Sequence, residues 1–306
     1  MFKTIIYIIL PFLLAQISLA GENIISVIPL MKKHSHFYLE ASVNGTKGLF
    51  LLDTGADIGA LDLEFAKKAG VDFMDESGNL SLNVSTTEIK SGVISIFVST
   101  LTIGELELYN QAMPWNETLD IKGNSLKYDG VAADGLISLR NLKQQVFEID
   151  YKGKRLVFLK QNLEAADKRV ILKMDKSCLS KAKVCLNLSW NGLIGTFLLD
   201  SGANNFMVPR KFADGWGIYK STPTRAKEWN GVPGKEYMFE KFEFDELKLG
   251  RVSFFVPDSD SDDNGPIEKG LIGNDVLEHF GAITYNMPSA EIILGGSSGD
   301  SIRISK

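Results

Sequence analysis

The chain has little cysteine, little histidine and no excess of basic residues. Its 306 residues include two cysteines and three histidines, and its formal net charge is −5. Two cysteines and three scattered histidines are too few for a convincing zinc site, and we expect His34 and His36 to form a solvated strand start. A nucleic-acid-binding protein would show a basic stripe, which this sequence lacks. We therefore expect no zinc site and no nucleic-acid partner, and nothing in the sequence implies another metal or an organic cofactor.

After the first 20 residues, the sequence lacks any apolar run long enough to span a bilayer. The first 20 residues combine Lys3, an apolar stretch from Ile5 to about Leu14, and small residues at Ser18 and Ala20. This is the pattern of a secretory signal peptide. The alternative is an uncleaved membrane anchor, for which the apolar run is short. We predict cleavage after Ala20 and export, to the periplasm or out of the cell, with no stable membrane span afterwards.

Export bears on the two cysteines, because exported proteins fold in an oxidising compartment. Cys178 and Cys185 flank a polar stretch of hairpin type. One interpretation is a local disulfide between them, and the other is a pair of half-buried thiols.

The sequence repeats itself at an offset of 147 residues. Residues 38–70 lie over 185–217 without a gap, and each copy predicts a strand, an Asn-Gly turn and a more buried strand that ends in an acid. The glycines and Asn-Gly pairs fix backbone shape, so chance similarity of two apolar strands explains the match poorly. We predict two similar, mostly β lobes, at 21–165 and 166–306, with the polar stretch 160–170 as the linker.

The two acids are Asp53, in FLLDTGAD, and Asp200, in FLLDSGAN. A single aspartate at a strand end is usually a turn residue, but two in matched apolar strands predict a pair that meets on a pseudo-two-fold axis. Two such carboxylates in a low-dielectric site hold one proton between them. The ionised member can take a proton from water while the other protonates a carbonyl oxygen. Such a pair of acids can catalyse direct attack of water on an amide.

The residues after each acid fit this chemistry. Gly55 and Gly202 let the backbone turn sharply and bring N–H groups close to the carboxylates. Thr54 and Ser201 offer hydroxyls that can cross-link the two loops beneath the acids.

Each D-[TS]-G-A motif follows apolar residues, and an apolar-apolar-Gly segment occurs later in the chain. This combination resembles the motifs of the aspartic proteases. Ala56 and Ala203 after the motif glycines resemble the retroviral type, and the duplication within one chain resembles pepsin. The resemblance implies a mostly β fold of two β-barrel-like lobes of the pepsin and retropepsin type. A cleft would separate the lobes, and helices would be few and short. Because both half-sites lie in one chain, we expect a monomer.

The resemblance also implies roles for individual residues. Asp53 and Asp200 match the catalytic pair, while the supporting positions are Thr54, Gly55, Ser201 and Gly202. The segment Leu271-Ile272-Gly273 matches the one that crosses behind the second motif. The first lobe departs from the pattern, because Ser138 stands where a glycine is expected, and its side chain is predicted to crowd the loop that holds Asp53.

Proteins of this family close a hairpin flap over the substrate. The candidates are residues 87–98, with a tip near Gly92, and residues 228–239, and a plain surface hairpin is the alternative for each.

Two other motifs match known functional patterns but lack the surrounding residues that those patterns need. GGSSG at 295–299 lacks the helix and the later histidine of a nucleophile elbow. The acidic stretch 258–265 lacks the glutamate that an EF-hand loop needs.

These observations predict an exported aspartic endopeptidase that binds extended peptides or proteins between its lobes and hydrolyses them with water activated by Asp53 and Asp200. The alternative is a catalytically inactive peptide-binding or envelope interaction module on the same fold. The two acids argue against this alternative, because burying them without a catalytic use costs stability.

Overall fold

The computed structural model describes residues 23–75, 80–81, 93–114, 131–160, 170–190, 192–229, 232–239, 242–244, 247–249, 251–259, 261–262, 265–266 and 269–295. Within them, short strands dominate both halves of the chain and each helix has at most two turns.

In the described residues, the first half of the chain contains twelve strands and two short helices, and nine of the strands form a mixed sheet. Its strands are β1 (Ile24–Pro29), β2 (Met31–Lys33), β3 (His36–Val43), β4 (Thr46–Asp53), β5 (Ala60–Leu61), β6 (Asp72–Asp75), β7 (Leu80–Ser81), β8 (Val93–Ile103), β9 (Leu106–Pro114), β10 (Gly135–Ser138), β11 (Val146–Asp150) and β12 (Arg155–Leu159). The helices are α1 (Leu63–Lys68) and α2 (Leu139–Leu142). The sheet runs β5-β10-β4-β3-β8-β6-β7, with β2 paired to β3 and β9 paired to β8.

The second half repeats this plan. Its strands are β13 (Val170–Lys173), β14 (Cys185–Trp190), β15 (Leu193–Leu199), β16 (Phe206–Met207), β17 (Arg225–Trp229), β18 (Val232–Phe239), β19 (Phe242–Phe244), β20 (Leu247–Leu249), β21 (Val252–Pro257), β22 (Ser261–Asp262), β23 (Gly265–Pro266), β24 (Gly270–Ile272), β25 (Ala282–Asn286) and β26 (Glu291–Leu294). The helices are α3 (Lys176–Leu179), α4 (Arg210–Trp216) and α5 (Asn274–Leu277), with 3₁₀ turns at Ile218–Lys220 and Glu278–Phe280. The main sheet runs β14-β15-β24-β16-β21-β18-β17, and β19-β20 and β22-β23 form separate hairpins.

The hairpin before each acid forms as the sequence predicts. In the first copy, Asn44 and Gly45 join β3 to β4 with φ of 48° and 80°. Two consecutive positive φ angles define a tight turn whose twist matches the flanking strands, and asparagine and glycine tolerate them best. In the second copy, Gly192 occupies the same conformation with φ of 79° between β14 and β15.

A third sheet joins the two halves. Its order is β1-β12-β11-β25-β26-β13, so three strands come from each half, and β11 pairs with β25 at the centre. There the rings of Phe147 and Tyr285 stack with centroids 4.9 Å apart. The predicted class, mostly β with two similar lobes and few short helices, is confirmed. The predicted boundary between the lobes, at 165/166, falls outside the described residues.

Candidate active site

Asp53 and Asp200 leave the ends of two equivalent strands. Asp53 is the last residue of β4, and the parallel neighbour β10 places Ser138 opposite it. Asp200 follows β15, and its backbone N–H donates to the carbonyl of Ile272 in the parallel neighbour β24, at 3.0 Å. Each acid therefore stands where a pair of parallel strands ends and the chain turns out of the sheet.

Thr54 and Ser201 cross-link the two lobes beneath these acids. The backbone N–H of Thr54 donates to Ser201 Oγ at 3.0 Å, and the backbone N–H of Ser201 donates to Thr54 Oγ1 at 2.9 Å. The Thr54 hydroxyl donates to the Leu199 carbonyl at 2.9 Å, and the Ser201 hydroxyl donates to the Leu52 carbonyl at 2.8 Å. Each hydroxyl thus donates once and accepts once while buried, which fixes the two motif loops against each other.

The two carboxylates lie against each other across the boundary between the lobes. Asp53 Oδ1 accepts the backbone N–H groups of Gly55 and Ala56, each at 2.9 Å, and Asp200 Oδ1 accepts that of Gly202 at 2.8 Å. A Cβ atom on Gly55 would stand 2.1 Å from Cγ of Asp200, and one on Gly202 would stand 2.3 Å from Cγ of Asp53. Each motif glycine therefore faces the opposite carboxylate, and any side chain there would collide with it.

The surroundings of the two acids differ. Burial raises the pKa of Asp53, while the N–H of Ala56, a hydrogen bond with Asp200, the N–H of Gly55 and the charge of His36 act against this rise. Burial raises the pKa of Asp200 well above its ordinary value and the charge of Asp53 raises it further, against the N–H of Gly202 and the charge of Lys183. With more donors at Asp53, the pair favours the negative charge on Asp53 and the shared proton on Asp200.

Two tyrosines lie close to this pair. Tyr151 follows β11 and Tyr285 belongs to β25, and both are almost fully buried. Burial raises the pKa of both phenols, so both stay neutral. Their hydroxyls are close enough to influence each other, yet neither makes a hydrogen bond of regular geometry with the described residues. They place neutral, largely apolar groups near Asp200, which lowers the local dielectric there.

His36 contradicts the expectation of a solvated strand start. It is 3% exposed, and its Nε2–H points to the carbonyl oxygen of Gly202 in the other lobe at 3.0 Å. The turn at His34, with φ of 49°, folds β2 back on β3, and the start of β3 lies against the second motif. His34 itself is exposed, as expected.

Asn274 is a second contributor for which the sequence gives no local signal. Its side chain is fully buried, and its Nδ2 donates to the carbonyls of Ser35, at 2.6 Å, and Ser201, at 2.7 Å. Asn274 thereby ties the chain before β3 to the second motif.

Ser138 fits its position without crowding the loop of Asp53. Its backbone N–H and its hydroxyl donate to Asn141 Oδ1, at 3.1 and 3.3 Å, so the side chain turns toward the start of α2. The equivalent position in the second lobe is Gly273, where a Cβ atom would stand 2.5 Å from the carbonyl oxygen of Asn205. In the second lobe, backbone passes so close that only a glycine fits.

The disulfide interpretation of the two cysteines is confirmed. Cys178 and Cys185 are bonded, and both are fully buried. The ammonium group of Lys269 lies 3.0 Å from Cys178 Sγ.

Other predicted features fall partly outside the described residues. The tip near Gly92 lies outside them, as do residues 230 and 231 of the second flap candidate, where β17 and β18 do form a hairpin. Parts of 258–265 and of 295–299 also lie outside. In the part of the chain that the structure describes, no cluster of histidine, cysteine and acidic side chains could hold a metal ion. No helix there has the length and apolar character to cross a membrane.

Comparison with known protein families matches residues 39–139 and 186–276 to the family described as Aspartyl protease. Among solved structures, the chain is similar to a retropepsin-like aspartic protease from Rickettsia conorii, with 18% identity over 41% of this chain and 89% of that chain, and a TM-score of 0.30. No curated protein sequence matches the chain. The family match covers more than half of the chain, includes both acid motifs and confirms the resemblance found in the sequence. The chain belongs to the aspartyl protease family.

Proposed function

We propose that the protein is an exported aspartic endopeptidase, which hydrolyses internal bonds of extended peptides that lie between its lobes. The main support for this proposal is the pair of carboxylates, each of which lies against the motif glycine of the other lobe. Their unequal hydrogen bonding supports two different roles for two chemically identical side chains.

In the proposed reaction, Asp53 is the general base and Asp200 is the general acid. Asp53, ionised and held by two backbone N–H groups, takes a proton from a water molecule as the water oxygen attacks the scissile carbonyl carbon. Asp200 gives its proton to the carbonyl oxygen, which produces a neutral tetrahedral diol. When the diol collapses, the C–N bond breaks, Asp53 gives its proton to the leaving nitrogen and Asp200 takes a proton from a diol hydroxyl, with no covalent enzyme intermediate.

The cross-links beneath the acids support this reaction by holding both carboxylates in place. Four hydrogen bonds join the motif loops through Thr54 and Ser201, so neither loop can shift without breaking several of them. Such preorganisation lowers the cost of reaching the reactive geometry. A peptide-binding module without activity would need none of this arrangement.

Peptide cleavage tests the proposal. We expect the purified chain to cut a mixed peptide library at internal bonds, somewhere between pH 3 and 8, with the products located by mass spectrometry. Asp53→Asn and Asp200→Asn should each lower the rate by about 10³-fold or more, because each removes one half of the acid–base pair.

Asp214→Asn is the matched control, because this exposed aspartate lies on α4, outside the motif loops. It should cleave like the parent. Absence of cleavage by a folded parent at every pH would refute the proposal and favour the peptide-binding alternative.

Export and a monomeric state complete the proposal. The buried disulfide supports export, since such bonds persist in oxidising compartments. The mass of the protein recovered from the exporting cells should correspond to a chain that begins at Gly21, and sedimentation should show one monomeric species. A retained Met1 would contradict cleavage, and a dimer at micromolar concentration would contradict the monomer.

A further inference from the structure

Lys183 of the second lobe reaches across to the motif loop of the first lobe. Its Nζ lies 2.6 Å from Oδ1 of Asp57, four residues after Asp53. The side chain of Lys183 is 28% exposed and that of Asp57 is 61% exposed. An isolated ion pair this exposed contributes little to stability.

The local structure holds Lys183 in place. Lys183 lies inside the loop that the Cys178–Cys185 disulfide closes, and its backbone N–H donates to the Cys178 carbonyl at 3.1 Å. The next residue, Val184, accepts the backbone N–H of Leu199 at 2.9 Å. Leu199 directly precedes Asp200, so the loop that carries Lys183 is attached to the strand that carries the second acid.

The internal repeat shows that the first lobe has no counterpart of the Lys183–Asp57 ion pair at the equivalent positions. At the offset of 147 residues, Lys183 lies over His36, and Asp57 lies over Asn204. In the first lobe, His36 reaches the carbonyl of Gly202 instead of a carboxylate. A lysine therefore stands near Asp200, whereas a histidine stands near Asp53.

We propose that Lys183 is a positioning residue for the proposed reaction: its ion pair with Asp57 ties the first motif loop to the disulfide loop beside Asp200, and its charge lowers the upper pH limit of activity. This rests on the proposed function. The reaction requires a protonated Asp200, whose pKa is raised by burial and by Asp53 and lowered by the charge of Lys183.

The charged groups around this arrangement come from several elements of the described chain. The carboxylates of Asp57 and Asp200 face Lys183 from the two motif loops. Among the described residues, His36 and Asp53 act on the pair of acids as well, Glu278 acts on the nearby Tyr151, and the two tyrosines are neutral. Lys269 approaches the disulfide rather than the carboxylates.

Three substitutions separate the charge from the ion pair. Lys183→Met removes both, Asp57→Asn removes the ion pair but keeps the lysine charge, and Lys183→Arg keeps both. We would measure kcat/KM against pH with one peptide that the parent cleaves. Without the lysine charge, Asp200 keeps its proton to higher pH, so the alkaline limb of Lys183→Met should move up by about half a pH unit or more.

The controls should behave differently. The alkaline limb of Lys183→Arg should lie at the same pH as that of the parent. Asp57→Asn should lower kcat/KM without moving the alkaline limb to higher pH. An unmoved limb in Lys183→Met would overturn the proposal, because an ion pair with only a structural role leaves the limb in place. An equal upward shift in Lys183→Arg would also overturn it, because arginine keeps the positive charge. Lys183→Gln provides a second neutral variant if the methionine variant does not fold.

A second measurement does not need cleavage. The free energy of unfolding, measured against pH, should fall as Asp200 loses its proton in the folded protein, because its pKa is raised there. In Lys183→Met this fall should extend to higher pH than in the parent and in Asp57→Asn. Coincident profiles would overturn the role of Lys183. If the parent cleaves no peptide, only the proposed function fails, and this profile still decides the effect of the lysine charge.

Discussion

At the scale of single residues, the position behind each motif shows how one backbone contact decides which side chain is tolerated. Ser138 has room for its hydroxyl, which donates to Asn141, whereas Gly273 faces the carbonyl oxygen of Asn205. Backbone cannot move aside as a flexible side chain can, so the second lobe requires a glycine here and the first lobe does not.

We therefore predict unequal costs for alanine at these two positions. Gly273→Ala should lower the free energy of unfolding by about 2–4 kcal/mol, because the Cβ atom collides with backbone. Ser138→Ala should lower it by about 1 kcal/mol, the usual cost of losing a polar group at a helix start. Urea denaturation of both variants checks this. Equal losses would show that the second loop relaxes around the added methyl group.

The sequence identified the residues of the motifs but missed those that depend on packing between the lobes. Asp53 and Asp200 stand out because their surroundings repeat locally. Asn274 contacts the carbonyl of Ser35, 239 residues away, and nothing near Asn274 in the sequence indicates this. The sequence gives a weak indication that His36 belongs to the site, since the repeat places it over Lys183. Its burial, however, depends on how the second motif lies against β3.

At the scale of elements, the hairpins could be predicted and the sheet between the lobes could not. The alternation of residues 37–43 and the Asn-Gly turn define β3 and β4 within one short stretch. By contrast, β11 pairs with β25 more than 130 residues away, as the Glu148–Thr284 contact with a separation of 136 shows. Periodicity reports which face of a strand is buried but not which strand lies beside it.

The disulfide loop gives a prediction for one element. Replacing Cys178 and Cys185 together by serine should lower the free energy of unfolding by about 2 kcal/mol, as chain entropy predicts for a loop closed across seven residues. Buried serines add to this cost. The parent under reducing conditions should approach the stability of the double variant. If the parent and the double variant unfold at the same denaturant concentration, the disulfide does not restrain the loop.

At the scale of the whole molecule, the pair of acids links folding to pH. The pKa of Asp200 is raised in the folded state, so its protonated form stabilises the fold at low pH, and this contribution is lost as the pH rises through the folded pKa. The pair of acids thus lowers stability at neutral pH, a cost that the proposed catalytic function would explain.

Asp200→Asn should remove this cost, because an amide has nearly the shape of a protonated carboxyl group and carries no charge. We predict that this variant is more stable than the parent at pH 7 and that the difference shrinks toward pH 4. Each pKa unit by which Asp200 is raised corresponds to about 1.4 kcal/mol of this difference. Thermal unfolding across pH 4–8 measures it. A variant less stable than the parent at pH 7 would contradict the raised pKa.

The most direct test of the central claim is kcat/KM for one cleaved peptide, measured with the parent, with Asp53→Asn, with Asp200→Asn and with the double variant. If the two carboxylates act as one unit, each single variant loses nearly all activity and the double variant loses little more. If either single variant keeps a substantial share of the activity, or if the two losses multiply in the double variant, the acids do not work as a pair and this account is wrong.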